Sequence, residues 1–289
     1  MLPAAEPAGA VGAGTGPIPV SPGPTVPIRP LSFRELLDMP FALIQANIRT
    51  LAGLSLSGLL TAEAVIIAVT AGVSGLTNGS DAGTALAAVL STAVCAWLLR
   101  FLVRGTTVAL GLATVRGAPI NWRTALDQCV ATLGPLLVFH MWFTVMGIGV
   151  LALGSLLIVT LLPAWFWLGR LRARRWVAVP SIVTEQTSYR EGVERSKLLV
   201  TGAEWPTTWL WLAQRALFGL LAAPLLAIPW FISDLSGTHR WPVIALITAG
   251  VLLLTTFSEV VESSSRVVCY IDRRCRREGL DIVRPQEAR

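Results

Sequence analysis

Charged side chains inside long apolar segments are the residues of this chain that could do chemistry. An ionisable group within hydrocarbon costs free energy, so it usually serves a function or pairs with an opposite charge. Among the candidate residues, arginines outnumber glutamates. A polar cavity lined by these side chains would therefore suit an anionic lipid headgroup or a small anion. The candidate ligand-binding residues are Arg100, Arg104, Arg174, Arg215, Glu259 and Glu262.

Helical spacing groups part of this set on one face. Glu259, Glu262 and Arg266 occupy positions i, i+3 and i+7, so a helix points the three side chains the same way. His140 and Arg215 each lie a few turns inside other apolar segments. Two interpretations stay open. The charges line a wet, inward-facing cavity that binds a ligand, or they form a dry network of ion pairs that fixes how the helices pack, with terminal arginines reaching the interface.

The sequence lacks the motifs of common enzymes and metal sites. We find no G-x-S-x-G, P-loop, H-E-x-x-H or glycine-rich dinucleotide turn. The two histidines, His140 and His239, are far apart in the sequence. None of the cysteines forms a C-x-x-C pair; they are Cys95, Cys129, Cys269 and Cys275. We therefore expect a protein that is not an enzyme, with no catalytic residue, no metal and no cofactor.

Composition identifies the environment of these charges. Hydrophobic residues make up 54% of the 289 positions and charged residues 14%, whereas soluble proteins carry about 25% charged residues. Several nearly uncharged runs are long enough to cross about 30 Å of hydrocarbon as helices. The sequence therefore predicts an all-α polytopic membrane protein. Its net charge of +6 indicates contact with anionic lipid rather than with nucleic acid.

Six transmembrane helices and two amphipathic interfacial helices are predicted to position the charges. Ser32 with Glu35, and Ser188 with Glu191, have the spacing of capping boxes, which start helices. Hydrophobic periodicity after each box predicts a helix that lies against a membrane surface or a helix bundle. The amphipathic helices are predicted at about 32–48 and 188–201, and the spans at about 50–73, 84–103, 136–161, 164–183, 207–232 and 242–268.

The fourth and fifth spans each allow a second interpretation. Four arginines interrupt 164–183, so the alternative is that 136–169 forms a hairpin of two short spans and leaves the arginines in the cytosol. Pro224 and Pro229 interrupt the fifth span, which is therefore a candidate broken helix of the kind that transporters use.

Charge asymmetry predicts the orientation in the membrane. The loops near residues 78, 162 and 236 hold one Lys or Arg between them, Arg240, whereas the opposite side holds several basic segments. By the positive-inside rule, the chain is a multi-pass protein of the cytoplasmic membrane with both termini in the cytoplasm.

The two ends of the chain are expected to lie outside the membrane domain, which covers 29–272. Residues 1–28 are rich in Pro, Gly and Ala and are expected to be a disordered cytoplasmic tail. Residues 273–289 are expected to form a basic cytoplasmic tail. Contacts with lipid headgroups at the inner leaflet are predicted for Arg273, Arg274, Arg276 and Arg277.

Four stretches resemble one family of membrane proteins, and together they extend over nearly the whole chain beyond the first tail. They are RPLSFRELLDMPFALIQANIRTL (30–52), LLPAWFWLGRLRARRWVAVPSIVTE (161–185), REGVERSKLLVTGAEW (190–205) and CYIDRRCRREGLDI (269–282). The family is the six-span membrane domain that is fused to some glycerophosphoryl diester phosphodiesterases and also occurs alone. The resemblance implies a proline turn followed by one returning helix, which favours the single fourth span at 164–183. It implies no phosphodiesterase activity, because that chemistry belongs to a separate barrel domain.

We therefore expect a non-enzymatic integral membrane protein that serves as an accessory or scaffold component of the cytoplasmic membrane. Its expected partners are the lipid bilayer, anionic lipids of the cytoplasmic leaflet and another membrane protein. The alternative is a transporter or lipid-handling protein that binds an anionic lipid or a small anion in an inward-facing polar cavity. Whether Arg100, Arg174, Glu259 and Glu262 surround a wet cavity or form dry pairs distinguishes the two.

Overall fold

A computed structural model describes residues 27–156, 158–236 and 241–280, and every regular element within them is a helix. Residues 1–26 of the predicted first tail and 281–289 of the predicted last tail lie outside the described residues. A short 3-10 turn, Ile158–Thr160, precedes α6. The helices are α1 (Phe33–Ala46), α2 (Ile48–Leu76), α3 (Asp81–Val115), α4 (Trp122–Ala131), α5 (Leu133–Ser155), α6 (Leu161–Ala173), α7 (Ala178–Glu185), α8 (Tyr189–Val200), α9 (Glu204–Ser236) and α10 (Trp241–Glu278).

Five helices are long and apolar enough to cross a membrane: α2, α3, α5, α9 and α10. The shortest has 23 residues, which corresponds to about 35 Å and exceeds the roughly 30 Å of hydrocarbon. Large apolar side chains such as Leu90 and Ile148 are exposed on these helices, as is expected where the surroundings are lipid rather than water. The fold is therefore all-α and of the membrane type, as the composition predicts.

The segment predicted as the fourth span differs from a single helix. α6 ends at Ala173, a turn follows, and α7 begins at Ala178. Pro180 explains the break, because it has no amide hydrogen to donate to the carbonyl of Trp176 and is accepted best in a first helical turn. The 13 residues of α6 cover only about 20 Å, so α6 alone is shorter than the hydrocarbon layer.

The order in which the helices pack leaves a cleft at the centre of the bundle. α10 packs against α3 on one side and α9 on the other, α9 packs against α6, and α6 packs against α5. α2 packs against both α3 and α10. α3 and α5 share few direct backbone contacts and are joined by side chains such as Trp97 and His140, so the cleft lies between these two end members of the row.

The two ends of the bundle differ in thickness. We call the end where the Leu31 amide donates to Asp272 Oδ1 (2.8 Å) the basal end, and the opposite end the far end. Toward the basal end, α3 is buried on all sides over 103–113 and α10 over 258–273. α1 and α7 pack against both segments, while α8 packs against α10. The basal half is therefore several helices thick, whereas the helices of the far half have more exposed side chains.

Both predicted capping boxes are present at the starts of α1 and α8. The Ser32 amide donates to Glu35 Oε2 (2.8 Å), and the Glu35 amide donates to Ser32 Oγ (3.4 Å). A hydrogen bond from Arg29 and the Ser32 amide lower the pKa of the Glu35 carboxyl to about 2. The backbone of Ser188 likewise lowers the pKa of Glu191. The carboxylates are thus ionised and able to cap at neutral pH.

Candidate anion site

Glu259 on α10 is the centre of a charged cluster in the middle of the bundle. Its carboxylate is completely buried and accepts hydrogen bonds from two arginines that are four residues apart on α3. Arg104 binds it through two nitrogens, Nε to Oε1 (2.7 Å) and Nη2 to Oε2 (3.0 Å). Arg100 Nε donates to Oε2 (2.9 Å), and the Ser263 hydroxyl donates to Oε1 (3.2 Å). Such two-point, charge-assisted pairing is among the strongest in proteins.

His140 on α5 extends the cluster and is held in its neutral form. Arg104 Nη1 lies 3.0 Å from His140 Nδ1. A guanidinium has donors only, so Nδ1 must be the acceptor and the ring proton must be on Nε2. Nε2 in turn lies 3.1 Å from the carbonyl oxygen of Trp97, to which it donates. His140 therefore adds no positive charge to the site.

Glu262, one turn further along α10, pairs with a second set of arginines. Arg266 Nη2 donates to Glu262 Oε1 (2.5 Å), and Arg215 of α9 donates to Oε2. Arg100 Nη2 lies 4.0 Å from the same Oε2, so Arg100 connects the two glutamates. The cluster therefore joins α3, α9 and α10 through charge pairs.

Two guanidinium groups of the cluster keep donors without partners in the described part of the chain. Buried nitrogens with no hydrogen bond are Nε of Arg172 and both Nε and Nη1 of Arg266. Aromatic faces partly replace the missing acceptors. The Arg172 guanidinium lies 4.7 Å from the Phe143 ring centre and 5.4 Å from that of Trp211, distances at which cation–π attraction operates. Arg172 forms no ion pair with any carboxylate of the described residues.

A cavity of about 330 Å³ borders this cluster, at the small end of the range for small-molecule sites. Three guanidinium groups line the cavity: those of Arg100 and Arg104 on α3 and that of Arg172 on α6. Apolar and small side chains of α3 and α5 form most of the remaining wall. The lining residues are Ala93, Ala96, Trp97, Arg100, Arg104, His140, Phe143, Thr144, Gly147, Ile148, Leu151, Arg172 and Thr255.

The cluster carries surplus positive charge at one level of the bundle. Two carboxylates face five arginines, which leaves three positive charges uncompensated; the arginines are Arg100, Arg104, Arg172, Arg215 and Arg266. Counted from the far ends of α3, α5 and α10, the paired side chains of these helices lie roughly 22–38 Å along them. This level is close to the basal boundary of a hydrocarbon layer about 30 Å thick. Desolvated positive charge at this depth attracts an anion.

Comparison of the chain with models of protein families, with curated proteins and with solved structures found no match. The resemblance to the six-span membrane domain family thus stays a prediction.

The structure brings together five of the six predicted ligand-binding residues and separates the sixth. Arg174 is exposed, and its Nε lies 3.4 Å from Glu204 Oε1, where Arg170 Nη2 also binds Oε2 at 3.2 Å. Arg174 directly follows the last residue of α6, its side chain is on the outside, and it does not line the cavity. Arg172 takes that position instead.

The four arginines predicted to contact lipid headgroups all have partners within the protein. Asp272 pairs with Arg273 (3.5 Å) and with Arg276 (2.9 Å), and Arg276 also donates to the Leu31 carbonyl. Arg274 pairs with Glu278 (2.7 Å), and Arg277 donates to the carbonyl of Thr201. This part of the basic tail fastens α10 to the start of α1 and the end of α8. Its contact with lipid stays a prediction.

The sequence reasoning left three members of the site without an assigned role: His140, Arg172 and Arg266. The spacing of Arg266 from Glu262 was a usable signal, because i and i+4 side chains meet on a helix. For Arg172, the small and apolar residues Leu168 and Gly169 lie one turn before it on the same face of α6, and the structure buries both. That pattern indicates the inward side of α6.

Proposed function

We propose that this integral membrane protein binds an anion in the cavity beside Arg100, Arg104 and Arg172, as a transporter or a lipid-handling protein would. The observation that carries the proposal is Arg172, a cation that borders the cavity without any carboxylate partner in the described part of the chain. A charge that only fixed helix packing would be expected to have a counter-charge, because an unpaired cation in hydrocarbon is costly.

α5 packs closely against the Arg172 side chain and so restricts its position. A Cβ placed on Gly147 would lie 2.8 Å from Arg172 Nη2, so the glycine leaves room for the guanidinium beside the cavity. Phe143 and Trp211 lie within cation–π distance of the same guanidinium, and its buried Nε has no hydrogen-bond acceptor in the described part of the chain. A planar, fixed guanidinium edge suits a carboxylate or phosphate group.

The first test compares Arg172→Gln with Arg174→Gln. We expect Arg172→Gln to weaken binding of an anionic probe about 10- to 100-fold, because one charge-assisted contact contributes about 1.5–3 kcal/mol. Arg174→Gln is the matched control, since it removes the same charge two residues away on the exposed side of α6. Binding of inorganic phosphate and of phosphatidylglycerol to the full chain in uncharged detergent would be measured by titration.

Folding of both variants would be checked by thermal unfolding in the same detergent. Equal binding by the wild type and the Arg172→Gln variant, for both probes, would refute an anion site at this cavity. Loss of binding in Arg174→Gln to the same extent would also count against it, because that result would indicate a general effect of surface charge.

The second candidate is the accessory or scaffold role expected from the sequence. The complete pairing of Glu259 by Arg100, Arg104 and Ser263 favours it, since a carboxylate with all acceptor positions used is typical of a structural network. In that case the cluster holds α3 and α10 together and the protein acts through a partner in the membrane. A stoichiometric membrane protein that co-purifies while neither anionic probe binds would select this candidate.

A further inference from the structure

The cavity continues beyond the arginines as an apolar groove. On α3, its lining residues Ala93, Ala96 and Trp97 precede Arg100 at helical spacing, so they lie on one face toward the far end. On α5, Ile148 and Leu151 follow His140 on a similar face. The site is thus charged at its basal end and apolar toward the far end. A lipid has the same arrangement, with a charged headgroup followed by an apolar chain.

Two polar side chains of the groove, Trp97 and Thr144, donate hydrogen bonds within its wall. The Trp97 indole Nε1 donates to Thr144 Oγ1 (3.0 Å), and the Thr144 hydroxyl donates to the His140 carbonyl (2.8 Å). Toward the far end from this bridge, the lining residues of α3 and α5 are apolar: Ala93, Ile148 and Leu151. Methylene groups are the chemistry that such a wall accepts without cost.

The groove opens sideways, toward the surroundings of the bundle. Ala93, Ile148 and Leu151 line the cavity and are also exposed on the outside of α3 and α5. In a bilayer the neighbour of these side chains is lipid, because they lie on helices of transmembrane length. An opening at this position therefore admits molecules from the lipid phase.

Access from the basal end is covered in the described residues. Below the arginine level, α3 is buried on all sides over 103–113 and α10 over 258–273. Gly105 packs so closely on Cys129 of α4 that an added Cβ would lie 2.4 Å from its sulfur. A hydrated anion from that side would have to displace packed helices, so the lateral opening is the simpler route. Burial therefore favours it over the inward-facing cavity that the sequence left open as an alternative.

We propose that the natural occupant is an anionic phospholipid, whose phosphate binds Arg100, Arg104 and Arg172 while its first acyl methylenes lie in the groove between α3 and α5. The inference rests on the proposed anion site and adds the source of the anion. The volume of about 330 Å³ holds a headgroup and the start of a chain, and the rest of the lipid stays in the bilayer. The chemistry recognised is a phosphate ester with an apolar tail.

The experiment separates the lipid from a free phosphate. Ala93→Trp places a large ring in the groove about two turns from Arg100, and Val94→Trp places the same ring on an exposed position of α3 that does not line the cavity. Native mass spectrometry of the full chain in uncharged detergent would measure binding of phosphatidylglycerol. Calorimetric titration would measure binding of inorganic phosphate.

We expect one phosphatidylglycerol per chain, with affinity at least tenfold weaker in Ala93→Trp than in Val94→Trp. Inorganic phosphate binding should be equal in the two variants. If phosphate binds through Arg172 but the lipid is absent, or binds equally to both tryptophan variants, the lipid inference fails and the anion site stands. If neither probe binds the wild type, the anion site and the lipid inference fail together.

Discussion

Removing the negative charge of Glu259 would leave the guanidinium groups of Arg100 and Arg104 buried against a neutral amide. We therefore expect Glu259→Gln to lower the free energy of unfolding by about 3–5 kcal/mol, the usual cost of breaking a buried pair on one side. Denaturant titration in mixed micelles, followed by tryptophan fluorescence, would measure it.

Asp38→Asn is the matched control for this prediction. Asp38 also pairs with an arginine, Arg34 at 3.8 Å, but both side chains are largely exposed, and exposed pairs contribute little. A Glu259→Gln variant as stable as Asp38→Asn would mean that water reaches the cluster, because only hydration could replace the lost pairing.

The limits of sequence reasoning are clearest at two arginines of α6. Depth and helical spacing place Arg100, Glu259 and Glu262 at one level without any knowledge of the fold. The same criteria predict Arg174 as a ligand-binding residue and miss Arg172. Residues two apart point to nearly opposite sides of a helix, and the side that faces the core depends on the neighbouring helices. Tertiary packing against α5 and α9 decides this point, and a single sequence does not contain it.

The apolar stripe of α1 is buried in part and exposed in part. Leu36, Leu43 and Ile44 are buried against the bundle, whereas Phe33 and Phe41 are 45% and 42% exposed. Phe33, Phe41 and Ile44 are all apolar at helical spacing, so periodicity alone does not tell which of them pack against the bundle. The exposed face has the chemistry of an interfacial helix, which buries such residues at the headgroup boundary.

We therefore expect α1 to insert its exposed apolar face into the membrane surface. A nitroxide label at Phe41→Cys should be relaxed by dissolved oxygen, which concentrates in lipid. The same label at Asp38→Cys, which is exposed close by on α1, should be relaxed by a water-soluble nickel complex. The background is low because three of the four native cysteines are buried and Cys95 lies within α3. Equal relaxation of both labels by the nickel complex would show that α1 lies in water.

Prolines coincide with a helix break at one place and with a continuous helix at another. Pro180 coincides with the break between α6 and α7, where two helical directions meet. Pro224 and Pro229 lie inside α9, which continues as one helix from Glu204 to Ser236, so α9 is not the broken helix considered from the sequence. Membrane helices tolerate proline where local adjustment and neighbouring groups satisfy the freed carbonyls. Sequence alone identifies the proline, but not which of the two outcomes applies.

At the scale of the whole molecule, the distribution of charge sets the orientation. Two connections at the far end, 77–80 and 156–160, contain no Lys or Arg, and the segment between α9 and α10 contains one, Arg240. The basal end holds basic residues on several elements, such as Arg34, Arg123 and Lys197. The positive-inside rule predicts a cytoplasmic basal end. The arginine cluster would then lie at the level of the inner leaflet, where anionic lipids concentrate.

Labelling of single introduced cysteines would test this orientation. Leu76→Cys is at the far end of α2, where Leu76 is 86% exposed, and Lys197→Cys is exposed on α8 at the basal end. A membrane-impermeant maleimide added to intact cells should label Leu76→Cys, and Lys197→Cys should react only after the membrane is permeabilised. The reverse pattern would place the arginine cluster at the outer leaflet. The lipid proposed for the groove would then have to be an outer-leaflet anionic lipid, because the charged end of the site and the basal end lie on the same side of the bundle.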